Sequence, residues 1–208
     1  MDLGRVVTIR LLRAGVVAVA LASAPPIDAQ EFPFPEYGFT VGDSAAPVTV
    51  VEFADFGCGA CAEFATRSFP TIIDEFVNPG TVQWRIIPFV LGPFRHSKRA
   101  AIAGICAAEQ DRFWEFHDLA YGDQDRWQDP RDPQSAFEQM IIELGGDLSQ
   151  FSLCYSNKAT EKLANTHRSL ARKIGVRATP AFLVNGRWAL GALSAEQFGQ
   201  LIHEALAP

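Results

Sequence analysis

The chain has 208 residues, of which 48% are hydrophobic, 20% charged and 11% aromatic. This composition is that of an ordinary globular protein with a substantial core, and the length predicts one domain with room for an inserted subdomain. The formal net charge of −6 gives no broad attraction for phosphate backbones or anionic lipid. Composition and charge therefore argue against binding to nucleic acid or to a membrane surface.

The N-terminal segment combines basic residues with a following apolar run. Three arginines, Arg5, Arg10 and Arg13, precede a short apolar run at residues 14–24. This is the arrangement of a secretory signal peptide, and the run is shorter than the ~20 apolar residues that span a bilayer. We expect residues 1–29 to be removed, which predicts an exported, periplasmic or otherwise extracytoplasmic protein. An uncleaved anchor is the alternative.

The first predicted elements form a strand, a helix and a second strand. Residues 30–46 contain two prolines and three phenylalanines among turn-forming residues, which favours an extended lead-in. The β-branched, apolar run at 47–55 predicts a strand buried on both faces. The pattern is then helical over 58–76, with a kink or break expected at Pro70. A second strand is predicted at 81–90.

The remaining elements extend the α/β pattern. Helical periodicity predicts four consecutive helices at Ser97–Gln110, Arg112–Tyr121, Ser135–Leu144 and Leu148–Tyr155. A last block predicts a helix, two strands and a helix at 157–174, Ala181–Val184, Trp188–Gly191 and Ser194–Ala207. The order is that of a split α/β domain with helices inserted in its middle, and we place this domain at residues 47–208.

Four cysteines are present: Cys58, Cys61, Cys106 and Cys154. Export would place them in an oxidising compartment, where disulfides form and persist. Four cysteines allow three pairings, but two cysteines three residues apart are most naturally a local redox pair. We therefore expect Cys58 to pair with Cys61, and Cys106 to form a structural disulfide with Cys154. Two buried free thiols at the second pair are the alternative.

The Cys58-Gly59-Ala60-Cys61 motif falls where a buried strand ends and a helix begins. A sulfur at that point can face the unpaired N–H groups of the first helical turn, which lowers its pKa from ~8.5 to ~7 or below. Cys58 is therefore predicted to be the nucleophile, and Cys61 to resolve the mixed disulfide. Haem attachment would need histidine where Ala62 stands, and the four histidines lack zinc-site spacing.

Glu52 is a charged residue inside the apolar strand, six residues before Cys58. Burial would raise its pKa, because a low dielectric disfavours the charged form. One interpretation is a proton acceptor for Cys61, and the other is a strand-end residue whose carboxylate reaches solvent. The residues alone do not separate the two.

Three segments, GDSAAPVTVVEFADFGCGAC, CAAEQDRFWEFHDLAY and GVRATPAFLVNG, resemble in order the DsbA-like branch of the thioredoxin superfamily. The resemblance implies a thioredoxin fold with an inserted helical subdomain at about residues 94–155, and thiol-disulfide oxidoreductase activity without an organic cofactor or metal. It further implies a cis peptide bond before Pro180, packed against the cysteine pair. Thr179 would offer backbone hydrogen bonds to a bound peptide. The resemblance also favours the proton-transfer role for Glu52.

The sequence departs from many such relatives between the two cysteines. Relatives often carry proline and an aromatic residue or histidine there, whereas Gly59 and Ala60 offer the thiolate no side-chain donor. Backbone and helix-end effects must then stabilise Cys58, which predicts a less extreme oxidant. Three aromatic residues flank the motif and could line a groove for unfolded substrates, although we expect at least two of them in the core: Phe53, Phe56 and Phe64.

Together these features predict an extracytoplasmic dithiol-disulfide oxidoreductase that donates disulfides to unfolded or partly folded exported proteins. We expect it to be a monomer that is reoxidised by a membrane redox partner. A reductase or isomerase is the alternative within the same class. A binding or chaperone module whose cysteines are not redox-active is the alternative from a different class.

Overall fold

The computed structural model describes residues 37–207. The predicted signal peptide at 1–29 and the first residues of the predicted lead-in therefore lie outside the described residues. Within the described range the strands, in chain order, are β1 (Phe39–Val41), β2 (Val48–Ala54), β3 (Val82–Pro88), β4 (Ala181–Val184) and β5 (Arg187–Leu190). They form one five-stranded sheet in the spatial order β1-β3-β2-β4-β5.

The parallel pair β2 and β3 lies at the centre of the sheet. Val48 is opposite Val82 and Ala54 opposite Pro88, and every residue of β2 except Thr49 is buried. This confirms the prediction of a strand buried on both faces. Parallel strands need a crossover connection, which the helical segment at 59–77 provides. The other strand pairs are antiparallel.

The crossover segment is not a regular α-helix. It consists of α1 (Gly59–Glu63), a π-helical turn at Phe64–Ser68, α2 (Phe69–Ile72) and a second π-helical turn at Ile73–Val77. Pro70 lies at the start of α2. Because proline has no N–H to donate to the preceding turn, a change of helical pitch before it is a way to keep the chain helical. The segment therefore continues past Pro70, where a break was one of the expectations.

Five helices lie between β3 and the next helix, α8 (Lys158–Lys173). They are α3 (Ser97–Ala108), α4 (Phe113–Gly122), α5 (Asp125–Gln128), α6 (Gln134–Glu143) and α7 (Leu148–Tyr155). Their buried faces share one hydrophobic core with three residues around the redox motif, Phe56, Cys58 and Cys61. The inserted subdomain therefore packs directly against that motif.

Helices cover both faces of the sheet. On one face, Trp84 and Phe182 pack against Phe198 of α9 (Ala195–Leu206) and against the crossover segment. On the other face, Phe53 packs with Ala171 of α8. This is the predicted architecture, a thioredoxin fold with an inserted helical subdomain. Among the helices of the described range, none combines the length and the hydrophobicity that crossing a bilayer requires.

Within the predicted lead-in at 30–46, the residues of β1 form an edge strand of the sheet, a pairing that the sequence did not predict. Phe39 is opposite Ile86 in β3, and its ring stacks on that of Phe113 at a centroid distance of 3.9 Å. Gly38 and Gly42 bound the strand with φ values of 89° and 94°. A strand of three residues between two glycines is too short to produce a detectable alternation.

Candidate active site

The predicted redox pair lies where β2 gives way to α1. Cys58 is the N-cap residue of α1, with an extended backbone (φ −82°, ψ 121°), and Cys61 lies in the first turn. The first N–H groups of a helix have no partner within it, so those of Ala60 and Cys61 can bind the Cys58 sulfur. Both cysteines carry free thiols, and their exposed fractions are 5% for Cys58 and 0% for Cys61.

The surroundings of Cys58 favour its thiolate. The hydrogen bond from the Cys61 thiol is the main cause, and it outweighs the opposing effect of burial. With smaller contributions from Thr179 and the first-turn N–H groups, it lowers the pKa of Cys58 to about 6. The expectation that backbone and helix-end effects stabilise Cys58 was therefore wrong about the largest contribution, because the resolving cysteine is itself a side-chain donor. Since a thiolate is the nucleophile in disulfide exchange, Cys58 is predominantly in its reactive form at neutral pH.

Cys61 has the opposite properties. Burial raises the pKa of Cys61 well above its ordinary value, and the hydrogen bond with Cys58 and the Cys58 charge raise it further. The charge of Glu52 acts in the same direction. Cys61 is therefore protonated at neutral pH in the reduced protein. Any attack by Cys61 requires that a proton first leave a buried thiol.

Glu52 is a buried carboxyl in β2. Its exposed fraction is 1%, and its Oε2 accepts a hydrogen bond of 2.9 Å from Nε1 of Trp84. Burial raises the pKa of Glu52 to about 8, although the Trp84 hydrogen bond acts in the opposite direction. The interpretation of a strand-end carboxylate in solvent does not fit this burial. A carboxyl with a pKa near neutrality is suited to accept and release protons.

Thr179 and Pro180 lie beside Cys58. The peptide bond between them is cis, and the carbonyl oxygen of Thr179 is 3.5 Å from the Cys58 sulfur. Pro180 is buried and Thr179 is half-buried. The structure thus brings this backbone segment, which comes from the far end of the chain, to the same point as the strand-to-helix junction of Cys58.

Cys106 and Cys154 form a disulfide with each other, apart from the Cys58–Cys61 pair. The S–S distance is 1.99 Å and the Cα–Cα distance 5.6 Å, and the bond joins α3 to α7 within the inserted subdomain. The two residues are 48 positions apart in the sequence. The site residues predicted from the sequence therefore separate into a redox group around Cys58 and a covalent link inside the subdomain.

Asp55 is a site residue that sequence reasoning missed. Its side chain is buried, Oδ1 accepts a 2.9 Å hydrogen bond from the N–H of Gly57, and Oδ2 accepts one of 2.7 Å from the N–H of Leu91. Burial raises the pKa of Asp55 despite these donors. An aspartate two residues before a glycine at the end of an apolar strand is a turn signal that could have identified it.

The three phenylalanines that flank the motif do not line an open groove. Phe53, Phe56 and Phe64 are all buried, Phe56 stacks on Tyr121, and Phe64 stacks on Trp84. They are core residues, as expected for at least two of them. Across residues 37–207, no group of three or more histidine, cysteine, aspartate or glutamate side chains is arranged to hold a metal ion.

Comparison with known proteins identifies relatives of the same chemistry. A family model described as "Thioredoxin" matches residues 35–204. The probable disulfide bond formation protein D of Bacillus anthracis is 30% identical over 158 residues, which cover 72% of this chain and 70% of that protein. The crystal structure of oxidised BdbD from Bacillus subtilis superposes with a TM-score of 0.73 at 23% identity, covering 81% of this chain and 92% of that one.

A third similarity concerns only part of a larger protein. The Na(+)/H(+) antiporter NhaA 3 of Salinispora tropica is 31% identical over 176 residues, which cover 83% of this chain but 25% of the antiporter. A match to a quarter of that protein gives no ground for assigning transport to this chain. The family match, the relative from Bacillus anthracis and the geometry of Cys58 and Cys61 agree with one another. The chain belongs to the thioredoxin family, as a DsbA-like protein thiol-disulfide oxidoreductase.

Proposed function

We propose that this protein is an extracytoplasmic oxidase that donates the Cys58–Cys61 disulfide to unfolded or partly folded exported proteins. The observation that carries the proposal is the unequal setting of the two sulfurs. The pKa of Cys58 is lowered to about 6 and that of Cys61 is raised. Stabilising the Cys58 thiolate stabilises the reduced protein, and a stable reduced form makes the disulfide a stronger oxidant.

Oxidation of a client requires two exchange steps. A client thiolate attacks the Cys58 sulfur, the new S–S bond forms, and the bond between Cys58 and Cys61 breaks. Because the pKa of Cys61 is raised, the leaving sulfur takes up a proton, for which protonated Glu52 is the proposed donor. A second client thiolate then attacks the client sulfur of the mixed disulfide and releases Cys58 as a thiolate. The client loses two electrons, and the cysteine pair gains them.

Reoxidation reverses these roles with a disulfide of a membrane redox partner. The Cys58 thiolate attacks that disulfide and releases one of its sulfurs. The Glu52 carboxylate then takes the proton of Cys61, and the resulting thiolate attacks the Cys58 sulfur. The Cys58–Cys61 bond forms again, and the two electrons leave with the partner as a pair of thiols.

Thr179 is the proposed docking point for the client backbone. Its carbonyl oxygen is 3.5 Å from the Cys58 sulfur, so a chain that binds the Thr179 backbone has its own cysteine beside the nucleophile. Backbone hydrogen bonds do not depend on the client's side chains. Such binding therefore suits an enzyme that acts on many unfolded sequences.

The direction of electron flow is tested by two measurements on the purified protein. We expect the oxidised protein to form a disulfide in a reduced, unfolded client with two cysteines, in buffer without glutathione. We expect a reduction potential between about −230 and −120 mV, the range of glutaredoxins to strong oxidants. A potential near or below that of thioredoxin, about −270 mV, together with no client oxidation, would instead support the reductase alternative.

The proposed export and monomeric state are tested separately. Residues 1–46, fused to a phosphatase that is active only outside the cytoplasm, should give activity in a bacterial host. The same fusion without residues 5–24 should not. Sedimentation of the purified protein should give the mass of one chain, and a stable dimer would contradict the proposed monomer.

A further inference from the structure

Two glutamines of the inserted subdomain bind the loop that carries Cys58. Nε2 of Gln124 donates to the carbonyl oxygen of Phe56 at 2.6 Å and to that of Cys58 at 3.3 Å. Nε2 of Gln128 donates to the carbonyl oxygen of Gly57 at 3.2 Å. A side-chain amide has two N–H bonds, so one glutamine can serve two carbonyls. Three consecutive carbonyls that end at the nucleophile are thus bound by side chains of another subdomain.

Two N–H groups of the same loop are bound by Asp55, at the end of β2. The Asp55 carboxylate accepts from the N–H of Gly57 at 2.9 Å, and the Asp55 carbonyl accepts from the N–H of Cys58 at 2.9 Å. Asp55 belongs to the sheet side of the loop, because it follows β2 directly. The loop from Asp55 to Cys58 is therefore fixed between the sheet and the inserted subdomain.

The short helix α5 is anchored independently of the two glutamines. The Trp127 side chain is fully buried, and its Nε1 donates to the carbonyl oxygen of Ala120 at 2.9 Å. Arg126 forms an ion pair with Glu143 of α6. Replacing either glutamine therefore leaves these attachments of α5 to the subdomain in place. What is lost is the hydrogen bonding to the carbonyls of residues 56–58.

The position of this loop decides what the Cys58 sulfur can contact. Cys58 is the N-cap of α1, and its carbonyl oxygen accepts from the N–H of Ala62 at 3.0 Å as well as from Gln124. If the carbonyls lose their donors, the loop can turn toward water and carry the sulfur away from the first-turn N–H groups. The contact with the Thr179 carbonyl, at 3.5 Å, would be lost in the same movement.

We propose that Gln124 and Gln128 are positioning residues for thiol-disulfide exchange, which hold the carbonyls of residues 56–58 and thereby keep the Cys58 sulfur at the N-terminus of α1. Neither glutamine touches the reacting sulfurs. They act through the loop. By this contact the inserted subdomain would affect the redox equilibrium of the Cys58–Cys61 pair, which lies at the end of β2. The inference rests on Cys58 being the attacking cysteine.

The test replaces each amide by a side chain of similar length without donors. Gln124→Met and Gln128→Met are compared with wild type in the redox equilibrium with glutathione and in the pH dependence of thiolate absorbance at 240 nm. Because the Cys58 thiolate is less stabilised, we expect the equilibrium constant for reduction of the Cys58–Cys61 disulfide to fall about tenfold in Gln124→Met. A tenfold change corresponds to a potential about 30 mV more negative. The change in Gln128→Met should be smaller, since it loses one contact instead of two.

Gln110 provides a matched control in the same subdomain. Its amide also bridges backbone groups, with Nε2 donating to the Asp147 carbonyl at 3.2 Å and Oε1 accepting from the Asp147 N–H at 2.7 Å. Gln110→Met should lower the free energy of unfolding without changing the redox equilibrium. Gln124→Glu keeps the shape of the glutamine and, as a carboxylate, has no donor, so its equilibrium constant should fall at least as far as that of Gln124→Met.

The outcomes separate positioning from stability alone. A redox equilibrium shifted in Gln124→Met and Gln124→Glu, and unchanged in Gln110→Met, supports the inference. Equilibrium constants within twofold of wild type in both Gln124 variants, with normal near-ultraviolet circular dichroism, would overturn it while leaving the oxidase proposal intact. Absence of thiol-disulfide exchange in the wild-type protein would overturn both.

Discussion

Trp84 donates its indole N–H to Oε2 of Glu52 at 2.9 Å, and both side chains are buried between the sheet and its helices. Trp84 lies opposite Val50 in the β2–β3 pair, two residues along the strand from the partner of Glu52. Tryptophan is a neutral donor, so it satisfies the carboxyl without supplying a positive charge. The result is a buried acid with a pKa of about 8. Such a group can take up or release a proton near neutral pH, where the proposed exchange steps require Cys61 to lose and regain its own.

Glu52 should make folding stability depend on pH. Its pKa rises from 4.5 to about 8 on folding, so between these pH values the unfolded chain has lost the proton and the folded protein still holds it. Ionisation then favours unfolding, and wild type loses stability as the pH rises through this window. Glu52→Gln should be as stable as wild type near pH 4 and more stable by roughly a few kcal/mol near pH 8. Urea unfolding of the oxidised proteins at several pH values measures the difference, and a difference that does not change with pH would contradict the prediction.

The same substitution should slow the proton-dependent step of exchange. Without the Glu52 carboxylate, Cys61 loses its proton acceptor. Its attack on the mixed disulfide between Cys58 and the redox partner should then slow by roughly a hundredfold at neutral pH. Stopped-flow measurement of mixed-disulfide decay gives the rate. Trp84→Phe keeps the carboxyl but removes the hydrogen bond that lowers its pKa, so the rate should still depend on pH, with a midpoint above that of wild type. Equal rates in wild type and Glu52→Gln across neutral pH would leave Glu52 without a role in catalysis.

The Cys106–Cys154 disulfide should stabilise the inserted subdomain without taking part in exchange. Closing a loop with a sequence separation of 48 gives a chain-entropy contribution of roughly 4 kcal/mol. The double variant Cys106→Ala, Cys154→Ala should lose about that much unfolding free energy. Its redox equilibrium at Cys58 should stay within twofold of wild type. Unchanged stability would argue against the structural role, and loss of exchange in a folded variant would assign the bond to the redox centre.

Replacing Gly57 and Gly59, on either side of Cys58, by alanine should have different effects on stability. A Cβ atom on Gly57 would lie 2.4 Å from Oγ of Ser97 and 2.6 Å from Cβ of Phe94, whereas one on Gly59 would meet nothing within 4 Å. Gly57→Ala should therefore be destabilising by about 1–3 kcal/mol, as overpacking is. Gly59→Ala should stay within about 0.5 kcal/mol of wild type. Thermal unfolding of both variants tests the pair, and equal melting temperatures would contradict the crowding inferred around Gly57.

The elements with long periodic patterns could be predicted from the sequence. The continuous apolar run of β2 specifies a strand buried on both faces. The four helices predicted for the inserted subdomain begin and end within about two residues of their predicted bounds. Strand β1 and helix α5 were missed because three and four residues are too few to show a period. The π-helical turns around Pro70 were missed because a kink or break was expected at this proline. In the structure the helical segment continues past Pro70, with a π-helical turn on each side of α2.

From the residues themselves, the site was predictable only where its chemistry is local in sequence, and the family resemblance was needed to place Thr179 and Pro180 beside the cysteines. The spacing of Cys58 and Cys61 at a strand-to-helix junction is a local signal, and the pKa difference between the two sulfurs follows from it. Asp55, Gln124 and Gln128 act through contacts between distant segments, and nothing in their own sequence neighbourhood distinguishes the two glutamines from solvent-exposed helix residues. The partner that decides the environment of Glu52 is Trp84, 32 positions away, and only the strand register brings them together.

The most direct test of the central claim is mixed-disulfide trapping with the two single cysteine variants. In Cys61→Ala the Cys58 thiolate can still attack a client disulfide, but no neighbouring thiol releases the product, so complexes linked through Cys58 should accumulate on non-reducing gels after acid quenching. Cys58→Ala should give no complex, because Cys61 is fully buried and protonated at neutral pH. Complexes in Cys58→Ala but not in Cys61→Ala would reverse the assigned roles, and no complex with either variant would contradict the redox function of the pair.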